Sequence, residues 1–138
     1  MLRLFLVAVF VSLTTFVQSA PLRITITEGV IEPLPYAAPA FIGETGASNE
    51  LAVKITELIK SDLFGTGLFR EVPKSSYISG INNFSSPIQY SDWKAINVQA
   101  LLTGSVLLAG ENLSVKFRLY DVFSCLLYTS DAADDSLR

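Results

Sequence analysis

Histidine is absent from the 138 residues and cysteine occurs once, as Cys125. Those two gaps exclude a histidine-based triad, a Cys-His pair, a zinc cage and an intramolecular disulfide. Positive charge is also sparse. Ten Lys and Arg stand against 13 Asp and Glu, for a net charge of -3. No basic run is present that could neutralise a row of phosphates, so the chain reads as having no nucleic-acid partner. The acids Glu28, Glu32, Glu44, Glu50, Glu57, Asp62, Glu71, Asp92, Glu111 and Asp121 are scattered singly, without the spacing of a catalytic pair, and read as solvated surface charges. No internal repeat is visible.

What is abundant is apolar residues, at 50% of the chain. That fraction over this length supports one domain with a sizeable core. Part of it sits in the leader MLRLFLVAVFVSLTTFVQSA, where Arg3 precedes the apolar block Leu4 to Val11. Residues 1–19 read as a secretory signal peptide, with cleavage after Ser19, because small side chains are wanted just before the cut and Pro21 hinders the next site. No cysteine stands at that point to accept a lipid. A cleaved leader with almost no cysteine points to the periplasm of a Gram-negative bacterium. The sequons at Asn83 and Asn112 are then coincidental.

In LRITITEG, the residues Leu22, Ile24 and Ile26 share one face and Arg23, Thr25 and Thr27 the other, which predicts a half-buried strand. Pro33, Pro35 and Pro39 make the next segment extended but irregular, with a strand from Tyr36 to Ile42. A cap at Ser48 or Asn49 opens a helix whose buried face carries Leu51, Ile55, Leu58, Ile59 and Leu63. Gly65 and Gly67 stop it. They follow a helix where a phosphate loop would open one, which excludes that reading. Leu68 to Val72 is a short strand, and Lys74 to Tyr90 a polar loop. Ser91-Asp92 caps a short helix through Trp93 and Ile96, with Trp93 in the core. QALLTGSVLLAG then turns at Gly110-Glu111-Asn112 into LSVKFRLYDVF, a β-hairpin. On its second strand Leu113, Val115, Phe117, Leu119 and Asp121 share one face, and Lys116, Arg118 and Tyr120 the other. The sum is an α/β (α+β) domain, a small mixed β-sheet with helices packed on one face.

The order of these pieces is specific. APLRITITEGVIEPLPYAAPAFIG, the helix ending SDLFGTGLFREV, the pattern W-x-x-x-x-x-x-A-L-L-x-G from Trp93 to Gly104 and F-x-L-Y-D-V from Phe117 to Val122 together resemble the TolB amino-terminal domain, from Ala20 to Ser124. The resemblance implies a periplasmic adaptor of the Tol-Pal system, not an enzyme, with no cofactor, metal or small-molecule substrate. In that family a β-propeller docks Pal and the extreme amino-terminal stretch engages TolA, in support of outer-membrane integrity and cell division.

By position the TolA-binding residues are Ala20, Pro21, Leu22, Arg23, Ile24, Thr25, Ile26, Thr27 and Glu28. The segment suits that task, since a terminal strand can add its backbone to another protein's sheet edge. A permanent strand of its own domain suits the same residues equally. After Ser124 the resemblance breaks. CLLYTSDAADDSLR, residues 125–138, resembles translated adapter sequence and is expected to be non-native, with the propeller missing and the contact with Pal lost with it. Without the following strand and helix, Val115, Phe117 and Leu119 are expected to be partly exposed. Two other readings are an envelope-assembly or synthase-activator binding domain with a similar sheet, and a secreted hydrolase using two convergent carboxylates.

Overall fold

The computed structural model describes Ile26, Thr27 and residues 30–130. The leader (residues 1–19), residues 20–25, Glu28, Gly29 and residues 131–138 lie outside the described residues. Among the described residues eight strands and two α-helices follow in the order β1 (Ile26–Thr27), β2 (Val30–Ile31), β3 (Leu34–Ala37), β4 (Ile42–Gly43), α1 (Gly46–Gly65), β5 (Phe69–Glu71), α2 (Tyr90–Ala95), β6 (Ala100–Ala109), β7 (Asn112–Asp121) and β8 (Leu126–Ser130). The main sheet has six strands, ordered β5-β3-β6-β7-β8, with β4 also beside β6. β3 runs parallel to β5 and β6, while β6, β7 and β8 are antiparallel. The sheet is therefore mixed, as the sequence implies.

The strand expected from Tyr36 to Ile42 is divided. Ala37 pairs with Leu101 and Ile42 with Ser105, so Ala38 to Phe41 stand opposite the shorter stretch Leu102 to Gly104. One extra residue is thus accommodated as a bulge, at the place where Pro39 has no N–H to give a ladder. The bulge drives the Phe41 ring onto Gly104, where any Cβ would stand inside the ring's van der Waals envelope. It also frees the Phe41 N–H from the sheet. That donor is satisfied by Thr56 Oγ1 at 2.9 Å, and the same hydroxyl donates to Ala52 O at 2.7 Å. A buried backbone N–H left unpaired costs on the order of 1–3 kcal/mol, so Thr56 both docks α1 and makes the break tolerable.

Helix α1 begins earlier than expected, with Thr45 at its extended N-cap position. Its first turn, Gly46-Ala47, carries no apolar periodicity to reveal it. Ser48, expected near the cap, is instead buried inside the helix, where its Oγ accepts the Leu108 N–H at 2.9 Å. The buried face is built from small residues, Ser48, Ala52 and Thr56, flanked by Leu51, Ile55, Ile59 and Leu63. Leu58 does not belong to it. It lies about 100° around the helix from Ile59 and is 62% exposed. At the other end Thr66 Oγ1 donates to Leu63 O at 2.7 Å, and Gly67 takes a left-handed φ of 68° to turn the chain into β5.

Strand alternation places Tyr36, Ala100, Leu102, Val106, Val115, Phe117 and Leu119 in the clusters under α1. Ala37, Leu101, Tyr120 and Val122 face the opposite side and pack with Val72, Val98 and Trp93. The short α2 therefore covers the face opposite α1, so the expected one-sided packing holds for α1 only. The cause lies in the link to β6. Val98 N–H bonds Trp93 O and Gln99 N–H bonds Pro35 O, which lays α2 against the Leu101 side. Trp93 is buried there, edge-on to Tyr77 at 5.0 Å between centroids. Within the polar segment before α2, one 3-10 turn forms at Lys74–Ser76.

The β6–β7 hairpin turns through Gly110, at φ 63°, and pairs in register from Ala109↔Asn112 to Ala100↔Asp121. Asp121 Oδ1 then accepts the N–H groups of Phe123 and Ser124 at 3.0 and 3.1 Å, closing the turn that returns the chain as β8. Leu126 to Ser130 pair with Asp121 to Phe117. By sequence alone the segment of residues 125–138 reads as lying beyond the native domain. Its pairing asks nothing special of its sequence, since an open antiparallel edge bonds the backbone of any extended segment. Val115, Phe117 and Leu119 are half-buried.

Gly104→Ala is expected to destabilise the fold by about 1–3 kcal/mol in urea unfolding, because the Phe41 ring has nowhere to retreat. Gly65→Ala, at a helical position with nothing within 4 Å of the new Cβ, is expected to stabilise by about 0.4–1 kcal/mol. Equal responses at the two sites would contradict the Phe41–Gly104 account.

Candidate functional site

Two of the residues expected to bind a partner, Ile26 and Thr27, lie on β1. They pair antiparallel with Ile31 and Val30 of β2 in a two-stranded ladder separate from the six-stranded sheet. Ala20, Pro21, Leu22, Arg23, Ile24, Thr25 and Glu28 lie outside the described residues. After β2 the chain passes Glu32 and Pro33 and enters the main sheet at Leu34, whose N–H bonds Leu68 O at 2.9 Å. The ladder is thus joined covalently to the sheet at its β3 end, and among the described residues no strand pairing links the two.

Two concavities are formed by the described residues of the main domain. A depression of about 250 Å³ is lined by Tyr36, Glu57, Lys60, Ser61, Phe64, Phe69 and Glu71. Lys60 Nζ lies 3.1 Å from Glu57 Oε1 and 3.0 Å from Glu71 Oε1. The Glu57–Lys60 spacing was legible in the sequence as a helical pair. The approach of Glu71 was not, because it depends on the parallel pairing of β5 with β3. Partial burial disfavours the charged Lys60, but hydrogen bonds and charge from Glu71 and Glu57 outweigh it and hold the ammonium above its ordinary value. Tyr36 at the floor is pushed up by burial first and by Glu71 second.

A second, polar cleft of about 440 Å³ lies on the opposite face of the sheet, between β4, β6, β7 and the loop Asn82–Ser85. Ser105 donates to Glu44 Oε1 at 2.9 Å, and Lys116 Nζ lies 3.8 Å from the same oxygen. Arg118 holds the loop down, donating to Phe84 O at 2.7 Å with its guanidinium 4.2 Å from the Phe84 ring centre. Among the described residues no three His, Cys, Asp or Glu side chains gather where they could hold a metal ion. No helix among them is long and apolar enough to cross a membrane.

A model of the TolB amino-terminal domain matches residues 22–125. The chain is 60% identical over 107 residues to the Tol-Pal system protein TolB of Cereibacter sphaeroides (strain ATCC 17029 / ATH 2.4.9), covering 78% of this chain and 24% of that protein. It is 59% identical over 107 residues to the protein of the same description from Roseobacter denitrificans, with the same coverage. The chain therefore spans about a quarter of the length of these relatives. Among solved structures, TolB from Acinetobacter baumannii superposes with a TM-score of 0.56 at 22% identity, over 72% of this chain and 22% of that one. The LpoB C-terminal domain from Escherichia coli superposes with a TM-score of 0.54 at 16% identity, over 75% and 84%. At such identities the two structures speak for the shared fold alone.

The partly buried phenols and Lys60 give the fold a pH signature. Tyr36, Tyr77 and Tyr90 are all raised from 10.0, chiefly by burial, and Lys60 is raised from 10.5. A raised folded-state value means the folded chain holds its proton more tightly. The stability these groups contribute is complete below their unfolded values and is lost as pH rises through the folded ones. Unfolding free energy is expected to fall as pH rises above the ordinary tyrosine value of 10.0, and Tyr36→Phe to lose less. An identical alkaline loss in the variant would contradict the assignment.

Proposed function

Because the chain belongs to the TolB amino-terminal domain family, we propose that it is the adaptor module of a Tol-Pal envelope protein in the periplasm, with Ala20 to Glu28 as its TolA-binding strand. The observation that carries this reading is that, among the described residues, Ile26 and Thr27 pair with Ile31 and Val30 in a two-stranded ladder distinct from the six-stranded sheet. A two-stranded ladder standing by itself is marginal in water. A strand in such a ladder can exchange its intramolecular pairing for the open sheet edge of another protein at modest cost.

On this reading Leu22, Ile24 and Ile26 supply the apolar contacts, while Arg23 and Thr27 bias the orientation. The backbone supplies affinity and the alternate side chains supply specificity. The module works by binding and does no chemistry of its own. Contact with Pal belongs to the propeller of longer family members, and support of outer-membrane integrity and cell division follows from the two attachments together.

Titration calorimetry of the full chain against a TolA carboxy-terminal domain tests this. Replacing Ile24 and Ile26 together by Asp is expected to weaken binding by more than about tenfold while leaving the unfolding midpoint unchanged. Undiminished affinity would contradict the assignment. A loss of about 3 kcal/mol or more in unfolding free energy would instead make the segment a permanent core strand.

A further inference from the structure

The depression at the end of α1 has features that the amino-terminal segment does not explain. Phe64 lies in the last turn of α1, about 80° around the helix from Thr56, and is 81% exposed. Leaving a phenyl ring in water forgoes the stabilisation that its burial would bring, and such rings mark contact surfaces when they rim a concavity. Beside it, Tyr36 and Phe69 meet edge-on at 6.0 Å between centroids and form an aromatic floor. β5 ends the strand order, so among the described residues only its β3 side is paired. Its other side offers main-chain donors and acceptors to an extended segment.

Charge identifies the chemistry of that segment. Glu57 and Glu71 share one ammonium, that of Lys60. Two carboxylates against one cation leave one negative charge over, and the Glu57 side chain is 66% exposed. A guanidinium or ammonium from outside completes the pairing, and it can do so near an aromatic floor that also favours a cation. An acidic segment would meet the surplus carboxylate and be repelled.

We propose that this depression docks an extended, cationic segment of a partner protein. Its Arg or Lys pairs with Glu57 and Glu71, and an apolar residue two positions along packs on Phe64. The spacing of two follows from strand geometry, in which alternate side chains face the same way. This site is independent of the TolA reading, since it uses none of the residues from Ala20 to Glu28.

The test is NMR titration of the isotopically labelled full chain with acetyl-Leu-Thr-Arg-Thr-Leu-amide, beside the same peptide carrying Glu in place of Arg. Saturable shifts are expected at the amides of Glu57, Lys60, Phe64, Phe69 and Glu71 with the first peptide only. Phe64→Ala, and separately Glu57→Gln with Glu71→Gln, are each expected to weaken binding by about tenfold. The altered side chains are exposed or rim the surface, so the unchanged spectrum elsewhere reports that the fold is kept. The proposal is overturned if no saturable shift appears there, or if both peptides act alike. It is also overturned if raising the protein concentration alone moves these resonances, which would seat a second copy on the site. Finally, it is overturned if Arg23→Glu alone moves them, which would seat the chain's own segment there.

Discussion

The hydroxyl of Thr56 is the point on which the arrangement of this domain turns. It accepts the Phe41 N–H that the bulge removes from the sheet and donates to Ala52 O one helical turn back. The Phe41 ring, turned by the same bulge, fills the space above Gly104. Helix, bulge and central strand are therefore fixed by one donor, one acceptor and one missing Cβ. With that contact in place, β4 can pair beside β6 and Ser48 can reach the Leu108 N–H, which ties the start of α1 to the far end of the same strand. The register of the long β6–β7 hairpin then sets which side chains meet α1 and which meet Trp93.

Periodicity made much of this legible. The alternation in β7 correctly assigned Val115, Phe117 and Leu119 to one side and Tyr120 to the other, because an antiparallel pair in strict register leaves no freedom to drift. The hairpin turn was readable from Gly110, and the end of α1 from its glycines, since left-handed backbone selects that residue. What escaped was decided by tertiary contacts. The start of α1 was misplaced because Gly46-Ala47 carries no apolar signal, and Leu58 was counted as core because a heptad spacing from Leu51 does not say where the sheet lies. The bulge after Ala37 was invisible for a related reason: Pro39 announced irregularity, but only the partner strand shows where the extra residue goes.

The same division runs through the functional surfaces. The amino-terminal segment was recognised from family motifs and from its alternation, yet alternation could not say whether the strand belongs to the core. The separate pairing of Ile26 and Thr27 with Val30 and Ile31 is a topological fact that no pattern within LRITITEG encodes. Likewise Glu57 and Glu71, read singly as surface acids, meet on Lys60 because a parallel pair brings β5 alongside β3. Among the described residues the domain thus presents a six-stranded sheet and, joined to it through Glu32 and Pro33, a separate two-stranded ladder.

Amide hydrogen exchange tests that division most directly. The account predicts that the amides of Ile26, Thr27, Val30 and Ile31 exchange at least about a hundredfold faster than those of Leu101 and Val106 in β6, through local opening that leaves the sheet intact. Equal protection in the two regions, lost together in a single global unfolding event, would show that the amino-terminal ladder is part of the core and would contradict the account.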